Sequence, residues 1–187
     1  MPVLDNGVVL GEGFNALNFT PMANVKAIFG YEPIKTGATV HHWGNDGQSF
    51  DDVLNFLKSR NSRNNSAHIV LQEDRVECIV NTDDAAWHSG HPLGNAQTIG
   101  IECRPEMTPG DLATLASLLR YLEKFYGSLL IYPHNYWQNT ACPGRYLDQL
   151  DELIDAINGV EIAPAPSEPV HLDDDEHECC CCHKHVA

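Results

Sequence analysis

The sequence predicts a single α/β domain built on a central mixed β-sheet with helices on both faces. Three observations predict it. Strand-like apolar runs alternate with helical patterns from Thr36 onward, the order expected of a layered α/β chain. The longest pattern places Leu112, Leu115, Leu118, Leu119, Leu122 and Phe125 on one helical stripe, which reads as core packing and not as a cofactor site. A length of 187 residues fits one ordinary domain plus a tail and is enough to bury a real core.

In chain order, residues 1–35 are broken by Gly7, Gly11, Gly13, Pro21 and Pro33, and are expected to form a loop-rich lead-in packed on the body. Thr36 to Trp43 reads as an apolar strand ending at the turn residue Gly44. Ser49 to Arg60 sets Phe50, Val53, Leu54 and Leu57 at helical spacing, with Ser49 as N-cap ahead of Asp51 and Asp52. Ala67 to Leu71 and Val76 to Asn81 form a hairpin turning at Glu73-Asp74-Arg75, and a turn through Asp83 to Ala86 leads to Trp87-His88-Ser89-Gly90. Gln97 to Arg104 is the next strand. Thr108 caps the longest helix, with Pro109 at its first position and Gly127 past its end. A strand at Ser128 to Tyr132 delivers His134, and a last helix from about Arg145 to Asn158 closes a domain spanning 36–160. Pro164, Pro166 and Pro169 then open a linker into an acidic Cys/His-rich tail, 161–187, whose composition predicts disorder.

The chain carries 26 carboxylates against 11 Lys and Arg, a net charge of −15, of which residues 160–187 hold −6. Such a surface repels phosphate backbones, so nucleic-acid binding is not expected. No apolar run is long enough to cross a membrane. The start MPVLDNGVVLGEGFNALNF has no basic n-region or continuous apolar core, so synthesis in the cytoplasm without a signal peptide is expected. Of the seven cysteines, Cys179 to Cys182 are consecutive, and Cys78 and Cys103 sit in apolar strand-like runs that suit buried reduced thiols.

Three blocks carry chemistry: His41-His42-Trp43-Gly44, Thr98 to Cys103, and His134 followed by Cys142-Pro143-Gly144. Two histidines and a cysteine far apart in sequence can supply three ligands to one zinc ion and leave a fourth position open for water. Glu102 beside that water would complete a metal-dependent hydrolase. Adjacent strand residues face opposite ways, so only one of His41 and His42 can face the pocket, and spacing does not say which. His134 and Cys142 lie in an Asn-, Gln-, Pro- and Gly-rich loop at a strand end, a place that carries function.

The ordered set V-H-H-x-G, S-A-H, D-A-A-W-H-S-G, N-x-x-T-I-G-I-E and H-x7-C-P-G, running from Val40 to Gly144, resembles the zinc N-acetylmuramoyl-L-alanine amidases. This is the amidase type 2 family, related to peptidoglycan recognition proteins, and the resemblance covers about residues 36–150. In the blocks HHWG, AAWH and IGIECRPE the chain also resembles the catalytic domains of actinobacteriophage endolysins. The resemblance implies an amidase-like fold, zinc as cofactor, and His41, His134 and Cys142 as metal ligands. It assigns Glu102 to the water-activating position; the Tyr that some members use falls on Ala67 and is absent. Thr140 falls beside the developing oxyanion. Trp87 and His88 match a substrate-cleft pair, although a Trp-His pair serves packing equally well.

The implied reaction is hydrolysis of the amide between N-acetylmuramic acid and L-alanine of the peptide stem. Bacterial peptidoglycan would be the partner, with no nucleic acid and no membrane, and passage from the host cytoplasm to the cell wall would depend on a holin. His68 reads as a buried, hydrogen-bonded ring, and His91 has no assigned role. Two further readings are a non-catalytic peptidoglycan-binding module, which the intact ligand set argues against, and metal buffering by the Cys/His tail. Reduced thiols in that tail would bind soft metals, but adjacent cysteines make a poor tetrahedral site.

Overall fold

A computed structural model describes residues 1–157 of the protein. The expected tail, with Cys179 to Cys182, and the last residue of the expected final helix lie outside the described residues. The elements follow as β1 (Leu10–Glu12), β2 (Phe19–Thr20), α1 (Met22–Phe29), β3 (Gly37–His42), α2 (Phe50–Lys58), β4 (Ile69–Gln72), β5 (Arg75–Cys78) and β6 (Ala85–Ala86). Then come α3 (Pro92–Gln97), β7 (Thr98–Cys103), α4 (Pro109–Tyr126), β8 (Leu130–Pro133) and α5 (Leu150–Ala156).

A mixed sheet runs in the order β1-β5-β4-β7-β3-β8, and β2 pairs with β6 in a separate ribbon. β4 and β5 are the antiparallel hairpin; β1 pairs parallel with β5, β4 with β7, and β3 with both β7 and β8. Strand alternation sorts the two faces. Ala38, Val40, Ile69, Leu71, Ile99, Ile101 and Cys103 pack into the larger core with the leucine stripe of α4 and with α5. Trp43 and Val70 face the other way, against Phe50, Val53, Leu54 and Leu57 of α2. Helices therefore cover both faces, and each fully buried leucine of α4 contributes about 1.5–3 kcal/mol.

The helix ends follow from their caps. The Ser49 hydroxyl accepts from Asp52 N–H at the start of α2. At α4, Thr108 and Asp111 form a reciprocal capping box, and Gly127 ends the helix at φ 72°. Asp111 is fully buried and also accepts from Arg104 Nε (3.1 and 3.0 Å), tying the end of β7 to α4.

Three stretches differ from the expectation. Residues 1–35 hold β1, β2 and α1, and β1 is the edge strand of the main sheet, with Leu10 buried in the larger core. Three residues between glycines give no periodicity, and their partner β5 lies more than sixty residues on. The final helix begins as a 3₁₀ segment over Gly144–Gln149 and becomes α-helical only from Leu150. α3 was not expected either: Pro92 suits a first helical turn, but Gly94 weakens the pattern. No helix among the described residues is long and apolar enough to cross a membrane.

Candidate metal centre

The register brings the chemistry to one end of the sheet. His41 of β3 stands opposite Glu102 of β7, and Val40 stands opposite Pro133 of β8, so His134 emerges beside His41. These are the carboxyl ends of parallel strands, where open α/β sheets carry their sites. The loop after His134 folds back through Asn135 N–H to Cys142 O (3.1 Å) and delivers the thiol to the same place.

The ligand atoms of His41, His134 and Cys142 all lie within 4.8 Å of one another and form a group able to hold a metal ion. His41 Nδ1 is 3.8 Å from Cys142 Sγ. Two such ligands on one tetrahedral zinc, at ordinary Zn–N and Zn–S lengths, would be about 3.6 Å apart. The His41 and His134 rings are 4.2 Å apart, and His134 Nδ1 is buried with no hydrogen-bond partner among the described residues. His42 Nδ1 and His91 Nδ1 are also buried without a partner, and it is the convergence with His41 and Cys142 that fits His134 to a metal.

The choice within the His41-His42 pair follows from the faces. Val40 points into the larger core, so His41 points to the opposite face, the side of Thr39 and Trp43. His42 contributes through its backbone: its N–H donates to Cys142 Sγ at 3.4 Å. Its ring packs on Gly144, where an added Cβ would stand 3.0 Å from His42 Cδ2 and where φ is 61°. Both facts call for glycine after Cys142-Pro143.

Glu102 lines the same cleft, about 770 Å³ in volume, with its Oε2 buried and without a hydrogen-bond partner among the described residues. Burial pushes its carboxyl up to about 7, against a smaller downward pull from Arg63. A carboxylate titrating there is tuned for proton transfer near neutrality. Burial, and next the charge of Glu102, push the Cys142 thiol up to about 12. Burial, then His88, holds His41 well below the usual imidazole range, which keeps it in the neutral form that ligates. Thr140 lines the cleft and accepts from Cys142 N–H at 3.2 Å, which leaves its hydroxyl proton for a ligand.

Trp87 lines a second cleft of about 720 Å³, which shares Arg63, Asn65, His88, His134 and Thr140 with the first. Trp87 and His88 occupy different depths. Trp87 is partly buried and donates from Nε1 to Thr20 Oγ1 (3.0 Å). His88 lies behind His41, 7% exposed, with one ring nitrogen on His41 and the other on the Thr98 carbonyl. Its polar atoms are thus engaged within the protein. His68 is fully buried, its Nδ1 accepting from Gly100 N–H (2.9 Å) and its Nε2 donating to Asp84 O (3.0 Å).

Trp137, which sequence patterning leaves without a role, anchors the ligand loop. Its Nε1 donates to Thr39 Oγ1 (2.9 Å), which in turn meets Thr98 Oγ1 (2.8 Å), and the His91 ring stacks on it at 5.5 Å. The only sequence signal was a large aromatic in a polar loop between two ligands.

Comparison with known proteins places the fold and the family. N-acetylmuramoyl-L-alanine amidase CwlH of Bacillus subtilis (strain 168) is 27% identical over 163 residues, covering 81% of this chain and 64% of CwlH. The amidase XlyA of the same organism is 26% identical over 140 residues, covering 70% of this chain and 46% of XlyA. The chain therefore spans less than two thirds of the length of either relative. Among solved structures, the catalytic domain of XlyA superposes with a TM-score of 0.63 at 20% identity, over 81% of this chain and 100% of that one. The Staphylococcus aureus hydrolase AmiA in complex with its ligand gives 0.65 at 20% identity, over 81% and 82%. These likenesses show a shared fold. Residues 30–145, more than half of the chain, match the family described as N-acetylmuramoyl-L-alanine amidase, and the chain belongs to that family.

Proposed function

We propose that the protein is a zinc-dependent peptidoglycan hydrolase that cleaves the amide between N-acetylmuramic acid and L-alanine of the stem peptide. The observation that carries this reading is the convergence of His41, His134 and Cys142 on one point, in a cleft that also holds the unpartnered oxygen of Glu102. Two imidazoles and a thiolate are a donor set that suits zinc. When bound there, zinc would polarise the scissile carbonyl and lower the pKa of water from about 15.7 to about 7.

The chain's own residues supply the rest. Glu102 takes a proton from the attacking water and passes it to the departing L-alanine nitrogen, which an amide needs because its amine leaves poorly unprotonated. Thr140 donates its hydroxyl proton to the oxygen that gains charge, a contact worth about 2.7–4 kcal/mol where such donors have been removed. Trp87, half in the adjoining cleft, offers an apolar face to sugar or peptide.

We further infer a lytic role of the phage-endolysin kind, acting at the cell wall after holin-dependent passage from the host cytoplasm. The family membership supports the bond assignment. Digestion of purified peptidoglycan tests it: stem peptides with a new L-alanine amino terminus are expected, without new reducing sugar ends. New reducing ends without free L-alanine termini would contradict it.

A further inference from the structure

We propose that His88 is a positioning residue for the metal centre: it accepts the Nε2–H of His41, so that the bare Nδ1 of His41 is presented to the metal, and Gly100 is the seat for its ring. This rests on the reading of His41 as a metal ligand.

The proton assignment follows from fixed acceptors. His88 Nε2 lies 3.3 Å from the carbonyl oxygen of Thr98, a group that can only accept, and 3.4 Å from Thr98 Oγ1, whose proton is given to Gly94 O at 2.7 Å. The His88 proton therefore sits on Nε2, and its Nδ1 keeps a lone pair. That lone pair is 3.0 Å from His41 Nε2, so His41 is the donor between them. A neutral imidazole with its proton on Nε2 has a free lone pair on Nδ1, the atom that faces Cys142 Sγ. Ligating histidines usually hand their second N–H to a carboxylate, a carbonyl or water, which fixes ring and tautomer. Here a second imidazole takes that place and passes the constraint to the backbone of β7.

The seat is built for this ring. Asn95 Oδ1 accepts from the backbone N–H groups of His88 (3.0 Å) and Ser89 (2.9 Å), fixing the chain where the side chain departs. A Cβ at Gly100 would lie 2.4 Å from His88 Cγ and 2.7 Å from its Nδ1. The glycine of the T-I-G-I-E run is thus required by the ring above it and not by a turn. His68 closes the far side, its ring 5.6 Å from that of His88.

The test uses the full chain. Long-range proton–nitrogen spectra of metal-free wild-type protein should show His41 with its proton on Nε2; a proton on Nδ1 would overturn the proposal without recourse to any variant. Zinc affinity, read by competition with a chromophoric chelator, should fall about 10–100-fold in His88→Leu and stay within about threefold of wild type in His88→Asn, whose Oδ1 can stand in for Nδ1. Equal affinity of His88→Leu and wild type would overturn the proposal. Equal loss in both variants would reduce His88 to packing and overturn it as well. A wild-type protein that binds no zinc would instead remove the metal reading on which the proposal stands, a result distinct from a zinc-binding protein indifferent to His88.

Discussion

Glu102→Gln should separate activity from stability, in opposite directions. The amide keeps the volume of the side chain but cannot accept a proton, so turnover should fall about 10²–10⁴-fold with zinc content unchanged. Stability follows from the same burial. The carboxyl is raised from 4.5 to about 7 in the folded protein, so its contribution is full below 4.5 and is lost as pH rises through 7. At pH 8 the ionised group costs metal-free protein about 3 kcal/mol relative to a neutral side chain, and at pH 5.5 about 1.5 kcal/mol. Metal-free Glu102→Gln should therefore be more stable than wild type at pH 8 by up to about 3 kcal/mol, a shift of 1 M or more in the urea midpoint at the usual slopes. The gain should shrink by roughly half at pH 5.5. Urea melts in chelator at both pH values, beside turnover on peptidoglycan, make the measurement. A variant destabilised at pH 8 would mean that Glu102 is a satisfied structural carboxylate, and the reasoning from its unpartnered oxygen would fail.

Two further outcomes follow from the buried polar groups. Burial is the main cause that holds His41, His68 and His88 well below their ordinary 6.5, so their stabilising contribution is present above pH 6.5 and lost as pH falls. Glu102 opposes them over the same window, but His134, also lowered chiefly by burial, joins the three, so metal-free protein should lose stability between pH 8 and 5.5 in urea melts. A flat profile would contradict that balance. Asp111→Ala removes the capping box of α4 and the acceptor of Arg104 Nε, and should cost about 2–4 kcal/mol in the same assay. Turnover of the folded fraction should be unchanged.

The long periodic elements were legible because local patterns and caps agree with the tertiary fold. Ser49 and Thr108 mark their helices, and alternation marks β3 and β7. β1 was hidden because three residues carry no period and their pairing is remote in sequence. The residue types of the centre were legible from spacing, and the resemblance picked His41 over His42. The physical reason lies in strand parity: an apolar Val40 in the core commits His42 to its face and frees His41 for the other. His88 and Trp137 were not legible in these roles, because a hydrogen bond between residues 47 or 98 positions apart leaves no local trace.

The most direct test of the central claim is a zinc titration of chelated protein with activity as readout. One metal ion held by His41, His134 and Cys142 predicts that activity on peptidoglycan rises linearly with added zinc and saturates at about one equivalent per chain, while Cys142→Ser neither retains zinc nor recovers. Full activity in the metal-free wild type, or in Cys142→Ser without bound metal, would contradict it.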